Sequence, residues 1–169
     1  MATIWQLITD RAASTPDAVM LIAEDDSRIT FGEFEQRAAR LAAGLAGLGV
    51  GSETRVTWQL PSSIDAVVAS AALARLDAVQ CPVLHLYREK ELGFVLRHTD
   101  AEFCLVPGVW NGFDYVAMAE GLAEQMDPAP TVLRLDDLPE GDPSTLPPAP
   151  AHVDGDEPVR WIYSTSGTT

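Results

Sequence analysis

RVTWQLPSSIDAVVASAALARLDAVQCP, residues Arg55 to Pro82, decides the fold. Val56, Trp58 and Leu60 alternate with Arg55, Thr57 and Gln59, which predicts a strand with one packed face. Pro61-Ser62-Ser63 then opens a helix. No charged residue occurs from Ala66 to Ala74, so this helix is expected to be buried on most sides. Asp77 breaks it, and Ala78-Val79-Gln80-Cys81-Pro82 predicts a second short strand. Strand, helix and strand in that order form the repeating unit of an α/β domain with a largely parallel sheet.

The same alternation extends both ways. Upstream, Thr30 to Leu48 is the clearest helix. Phe34, Ala38, Leu41, Leu45 and Leu48 recur at three and four, Thr30 with Glu33 makes a capping box, and Gly49 supplies the stop. Ile29 is placed to staple against Phe34. Thr3 and Gln6 make a similar box before Ile4, Leu7 and Ile8, in a helix that should end before Pro16. Ala18 to Ala23 predicts a buried strand. Glu24-Asp25-Asp26-Ser27 predicts a turn, with Arg28-Ile29-Thr30 returning as a hairpin partner.

Downstream, Arg88 to Thr99 is helical with Leu92, Val95, Leu96 and Thr99 on one face, and Phe103 to Val106 is a strand. Asp114 caps a helix whose inner face is expected to be Met118, Leu122 and Met126. Thr131 to Leu135 is another strand. Residues 136–158 are crowded with Pro, Asp and Gly and predict an irregular connector. Val159 to Tyr163 then returns as a final strand.

That last strand runs into Ser164-Thr165-Ser166-Gly167-Thr168-Thr169. Open α/β sheets bind ligands beyond the carboxyl ends of their strands. Successive amides, hydroxyls and a glycine at such an end suit a cradle for phosphate oxygens. The Walker A spacing is absent.

Composition bounds the function. A chain of 169 residues with 47% hydrophobic residues is long enough for an ordinary domain with a real core. The formal net charge is −14 and Lys90 is the sole lysine, which argues against nucleic acid and anionic membranes as partners. No uncharged apolar run reaches membrane-spanning length, and no signal peptide is evident. Cys81 and Cys104 lie in apolar runs and are expected as buried thiols, with a cytoplasmic location as the default.

Thr165-Ser166-Gly167-Thr168-Thr169 resembles the start of the signature phosphate loop of the adenylate-forming ligases: acyl-CoA synthetases, adenylation domains and luciferases. Other stretches resemble the family in its own order. These are Thr15-Pro16-Asp17-Ala18; Ile29-Thr30-Phe31-Gly32-Glu33-Phe34 with the helix after it; Leu60-Pro61-Ser62-Ser63; and Tyr87-Arg88 with Glu91-Leu92. Trp110 and Gly112-Phe113-Asp114-Tyr115 resemble a subgroup acting on cyclic or fatty carboxylates, such as cyclohexanecarboxylate–CoA ligases. Three positions depart from the pattern. Ser164 stands for an aromatic residue, Asp77 for a glycine, and Leu84-His85 for an Asn-Pro pair. His85 reads as a loop substitution without chemistry.

The resemblance implies the first part of an AMP-binding domain, residues 1–169, with the connector at 136–158, the phosphate loop starting at 164–169, and the C-terminal domain absent. It implies activation of a carboxylic acid (fatty, cyclic or aryl) by ATP and Mg²⁺ to an acyl-adenylate, with coenzyme A as thiol acceptor. Delivery to a carrier protein, or a noncatalytic module that keeps only the fold, are the alternatives. Thr165, Ser166, Gly167, Thr168 and Thr169 would hold the phosphates, with Thr165 also toward Mg²⁺. No acid–base residue is assigned within the chain. A chain of these residues alone is expected to lack adenylation activity and to self-associate or be marginally stable, its apolar edges uncovered.

Overall fold

A computed structural model describes residues 2–151 and 158–164. The chain forms two compact units. The first is Met1–Ser52, Ser62–Ala78 and Pro139–Pro158; the second is Glu53–Pro61, Val79–Leu138 and Val159–Thr169.

The first unit is mainly helical. Helix α1 (Ile4–Ser14) starts at Thr3, whose side chain accepts from the Gln6 amide. Strands β1 (Val19–Ile22) and β2 (Arg28–Thr30) pair antiparallel as a hairpin. Asp26 turns it with φ 64°. The Ala18 to Ala23 run was expected as a buried strand, and here it is corrected. Val19 and Ile22 are exposed, because a two-stranded hairpin covers only one of its faces.

Helix α2 (Phe31–Gly47) follows directly. Thr30 Oγ1 accepts from the Glu33 amide at 3.3 Å, and Glu33 Oε2 accepts from the Thr30 amide at 2.9 Å. These bonds satisfy two groups that the helix start would otherwise leave open. They also hold the Glu33 carboxyl below its ordinary value, chiefly through the Thr30 amide and then its hydroxyl. Helix α3 (Ile64–Arg75) is capped by Ser63 and packs on α2. Ala66, Val68, Ala69, Ala71, Ala72 and Leu73 are buried, as its uncharged sequence predicts. It stops at Asp77, which takes the left-handed φ of 63° that a glycine adopts more readily.

The described part of the connector is fastened rather than loosely draped. A Cβ on Gly44 would meet the Pro139 carbonyl, so glycine is what allows the connector to lie on α2. Gly141 donates its amide to Arg40 O at 2.9 Å, and Arg40 pairs with Glu140 at 3.2 Å. The largely buried Arg75 donates to Pro147 O at 2.6 Å. A short 3₁₀ turn, Pro143–Thr145, interrupts the irregular run.

The second unit carries the sheet. Strands β3 (Arg55–Trp58), β4 (Val79–Pro82), β5 (Phe103–Val106) and β8 (Thr131–Arg134) are all parallel, in the order β4-β3-β5-β8. This is the α/β architecture with a parallel sheet that the alternation predicts. Helices α4 (Glu89–His98) and α5 (Tyr115–Ala123) supply Leu92, Val95, Leu96, Met118 and Leu122 to a core shared with Cys81, Cys104 and Val106. Both cysteines are free thiols, and complete burial pushes Cys104 up to about 12.

Two strand expectations are corrected. Strand β3 is not half-exposed, since Val56 and Thr57 are both fully buried. A strand in the middle of a parallel sheet is covered on both faces, so its polar residues do not mark a solvent side. The final strand shrinks to one parallel bridge, Gln80 with Trp161. Ile162 is half-buried, while Tyr163 is exposed. A further hairpin, β6 (Val109–Trp110) with β7 (Phe113–Asp114), turns through Asn111 and Gly112 at φ 48° and 75°.

Candidate functional site at the carboxyl edge of the sheet

Thr165, Ser166, Gly167, Thr168 and Thr169, the residues expected to hold phosphate, lie outside the described residues; the structure describes the chain that leads to them as far as Ser164. That chain runs beside β4. Gln80 N donates to Arg160 O at 2.9 Å, and Ile162 N donates to Gln80 O at 2.9 Å. Trp161 and Tyr163 stack at 5.8 Å with planes 7° apart. Ser164, the last residue described, is exposed just beyond.

Because all four strands are parallel, their carboxyl ends lie at one edge. Gln59 sits there, immediately after β3, with its amide donating to Leu105 O at 2.9 Å. Its side chain is fully buried. Nε2 donates to Leu84 O at 2.8 Å and to Tyr87 O at 3.0 Å. Oε1 has no partner among the described residues.

The loop that Gln59 grips follows β4 and is held from two further directions. Tyr115, the first residue of α5, donates its hydroxyl to His85 O at 2.7 Å. Arg88 Nη1 donates to His85 O at 3.0 Å and Tyr87 O at 2.8 Å. The Arg88 guanidinium also lies 4.3 Å from the Phe113 ring centre and 5.5 Å from that of Tyr115, a favourable placement of a cation on aromatic faces. The His85 ring meets Trp110 edge-on at 4.8 Å, so it has an aromatic partner that the sequence does not reveal. Leu84 and Leu86 project outward, 60% and 71% exposed.

Sequence reasoning passed over Gln59, and named Arg88 and Tyr115 only within helical or family-like stretches, with no role for either side chain. The hairpin that places Phe113 and Trp110 was available from Asn111-Gly112, the strongest short hairpin signal. Gln59 carried no comparable signal, because alternation assigns it to a solvent face.

Elsewhere, the first unit has an open groove of about 420 Å³ lined by Arg28, Arg37 and Arg40 with Glu33 and Asp65. Arg37 pairs with Asp65 at 2.6 Å and Arg40 with Glu140. Those two cations are already matched, and the groove has no strong call on an anion. No group of three acidic, histidine or cysteine side chains among the described residues could hold a metal ion. No helix among them is long and apolar enough to cross a membrane.

An open parallel sheet with its loops gathered at the carboxyl edge defines an α/β ligand-binding domain. Residues 8–169 match the AMP-binding enzyme family, and the chain belongs to that family of adenylate-forming ligases. It is 35% identical to a 2-hydroxy-7-methoxy-5-methyl-1-naphthoate–CoA ligase of Streptomyces carzinostaticus, over 69% of this chain and 21% of that protein. It is 33% identical to triostin synthetase I of Streptomyces triostinicus, over 98% of this chain and 31% of that protein. The N-terminal subdomain of NpsA from Klebsiella oxytoca, solved with 3-hydroxybenzoyl-AMSN, has the same fold. It superposes with TM-score 0.72 at 22% identity, covering 99% of this chain and 38% of that one. The chain thus spans between about a fifth and two fifths of the length of these proteins.

Proposed function

We propose that this chain is the N-terminal portion of an ATP-dependent ligase that converts a carboxylic acid to its acyl-adenylate and passes the acyl group to coenzyme A. The observation that carries the reading is the family match, which runs through the sheet and into residues 165–169. A carboxylate oxygen attacks the α-phosphorus of ATP, the bond to the bridging oxygen breaks, and pyrophosphate leaves. Such chemistry depends on positioning and charge neutralisation.

The donor set of Thr165, Ser166, Gly167, Thr168 and Thr169 suits anionic oxygens, since it offers amides and hydroxyls and no carboxylate. These residues would hold the β- and γ-phosphates, with the Thr165 hydroxyl also toward Mg²⁺. Bound Mg²⁺ would neutralise phosphate charge, which a chain of net charge −14 does not do by itself. An o-succinylbenzoate–CoA synthetase of the same fold, from Bacillus subtilis, was solved with ATP and magnesium ion.

The similarity to a naphthoate–CoA ligase supports coenzyme A as acceptor and an aryl or cyclic acid as substrate. A second reading is delivery to a carrier-protein thiol. It is favoured by 35% identity, over 71% of this chain, to the salicyl-AMP ligase / salicyl-S-ArCP synthetase of Mycobacterium tuberculosis. Acid-dependent exchange of labelled pyrophosphate into ATP by the full-length protein, across aryl, cyclic and fatty acids, tests the first half-reaction. Exchange with at least one acid is expected, and none with any would overturn the reading. Adding coenzyme A or a carrier protein to the exchanging system then separates the two acceptors.

A further inference from the structure

Asn111 is the only asparagine in the chain, and Gly112 follows it. Asparagine is a chemically labile residue, and its successor sets how labile. The backbone nitrogen of the next residue can attack the asparagine side-chain carbonyl and close a five-membered imide. A side chain on the attacking residue hinders that approach. Gly112 has none, and a Cβ placed there would meet nothing within 4 Å, so its surroundings do not shield it either. Both residues are exposed, which gives water access to the imide.

The fold holds this pair at the tip of a short hairpin. Strands β6 and β7 pair Val109 with Asp114 and Trp110 with Phe113. A two-stranded ribbon so short is marginal by itself. Its Trp110 and Phe113 side chains anchor it on the core of the second unit. Asn111 and Gly112 adopt left-handed φ angles of 48° and 75° to make the turn. Attack requires the Asn111 carboxamide to swing over the Gly112 nitrogen, and local opening of the tip permits it without unfolding the sheet.

We propose that Asn111 is a site of spontaneous modification to aspartate and isoaspartate, and that the isoaspartate form loosens the start of α5 and the 84–87 loop. Gly112 N bonds to Asn111 Cγ, the Cγ–Nδ2 bond breaks, and ammonia leaves with the amide proton. Water then opens the imide at either carbonyl. One product is aspartate, with the main chain restored. The other is isoaspartate, whose main chain runs through the former side-chain carboxyl and is longer by a methylene.

Register across a two-residue turn is set by the turn itself, so the longer main chain displaces Trp110 from Phe113. Three contacts depend on that register. Trp110 meets the His85 ring at 4.8 Å, the Arg88 guanidinium lies 4.3 Å from the Phe113 ring centre, and Asp114 Oδ1 accepts from the Ala117 amide at 3.0 Å to cap α5. Tyr115, the next residue, donates to His85 O. The aspartate product only adds a charge at the tip and leaves these contacts in place.

The test is ageing of the full-length protein at neutral and mildly alkaline pH. Peptide mapping reads loss of the amide, and labelling by a protein-isoaspartate methyltransferase reads the isoaspartate. Asn111 should convert faster than asparagines followed by any residue but glycine, and faster at the higher pH, because the attacking nitrogen must lose its proton. The label at this peptide should be lost in Asn111→Gln. Backbone hydrogen exchange over 84–87 and the first turn of α5 should speed up in aged wild type. It should slow again when methyltransferase turnover converts isoaspartate to aspartate. An Asn111 peptide that keeps its amide overturns the inference. So does isoaspartate at 111 with unaltered exchange, or faster exchange that the methyltransferase does not reverse. None of these outcomes bears on the ligase reading, since neither ATP nor acid takes part.

Discussion

The start of α2 and the carboxyl edge of the sheet solve the same problem by opposite routes. Both must satisfy backbone groups that regular structure leaves open. At α2 the partners, Thr30 and Glu33, are three residues apart. At the carboxyl edge the partners of the 84–87 carbonyls include Gln59, 25 and 28 residues away, and Tyr115, 30 residues away. The local solution forms wherever the helix forms. The distant one exists only after β3, β4 and α5 have come together, and it leaves Gln59 Oε1 without a partner among the described residues. Local capping therefore serves stability, and the long-range network also fixes a loop in place.

Mutations can break this contrast. The largest expected effect is at the long-range network. Tyr115→Ala deletes a side chain that is 1% exposed, together with its bond to His85 O, and should cost about 3–5 kcal/mol in denaturant unfolding. A loss below about 1 kcal/mol would mean that the distant contacts contribute little beyond the core.

Gly44→Ala comes next, because the added Cβ would strike the Pro139 carbonyl. A cost of about 2 kcal/mol is expected from overpacking. Faster proteolysis after residue 138 would show the connector lifting from α2.

Thr30→Ala removes the local cap and should cost about 1 kcal/mol at neutral pH. Its pH dependence sharpens the comparison. The Glu33 carboxyl is held below the ordinary glutamate value of 4.5 in the folded chain. Its contribution is therefore full above that value and is lost as pH falls through the lowered one. Thr30→Ala keeps the backbone amide's hydrogen bond to the Glu33 carboxylate and loses only the hydroxyl one, so its melting-temperature difference from wild type should narrow only slightly as pH falls below 4.5 and stay flat above it.

The smallest effect concerns Arg37 and Asp65, both more than a third exposed. A double-mutant cycle should return about 0.5 kcal/mol or less, and less again in high salt.

The two regions were unequally legible. The α2 cap, the Ser63 and Asp114 caps and the left-handed Asp77 are visible in sequence, because each depends on neighbours within a few residues. Strand β3 was misread for the complementary reason. Alternation assigns Thr57 and Gln59 to solvent, yet the pairing of β3 between β4 and β5 buries them. His85 looked isolated until the β6–β7 hairpin brought Trp110 to it.

By itself, the sequence determined the alternating α/β plan, the helix boundaries and the family resemblance, since periodicity, capping and motif order are properties of neighbouring residues. Only the tertiary structure decided that the β1–β2 hairpin leaves Val19 and Ile22 exposed, that β3 is central, and that Gln59, Arg88 and Tyr115 converge on one loop. Strand order and convergence arise from pairings across tens of residues, which no local pattern encodes.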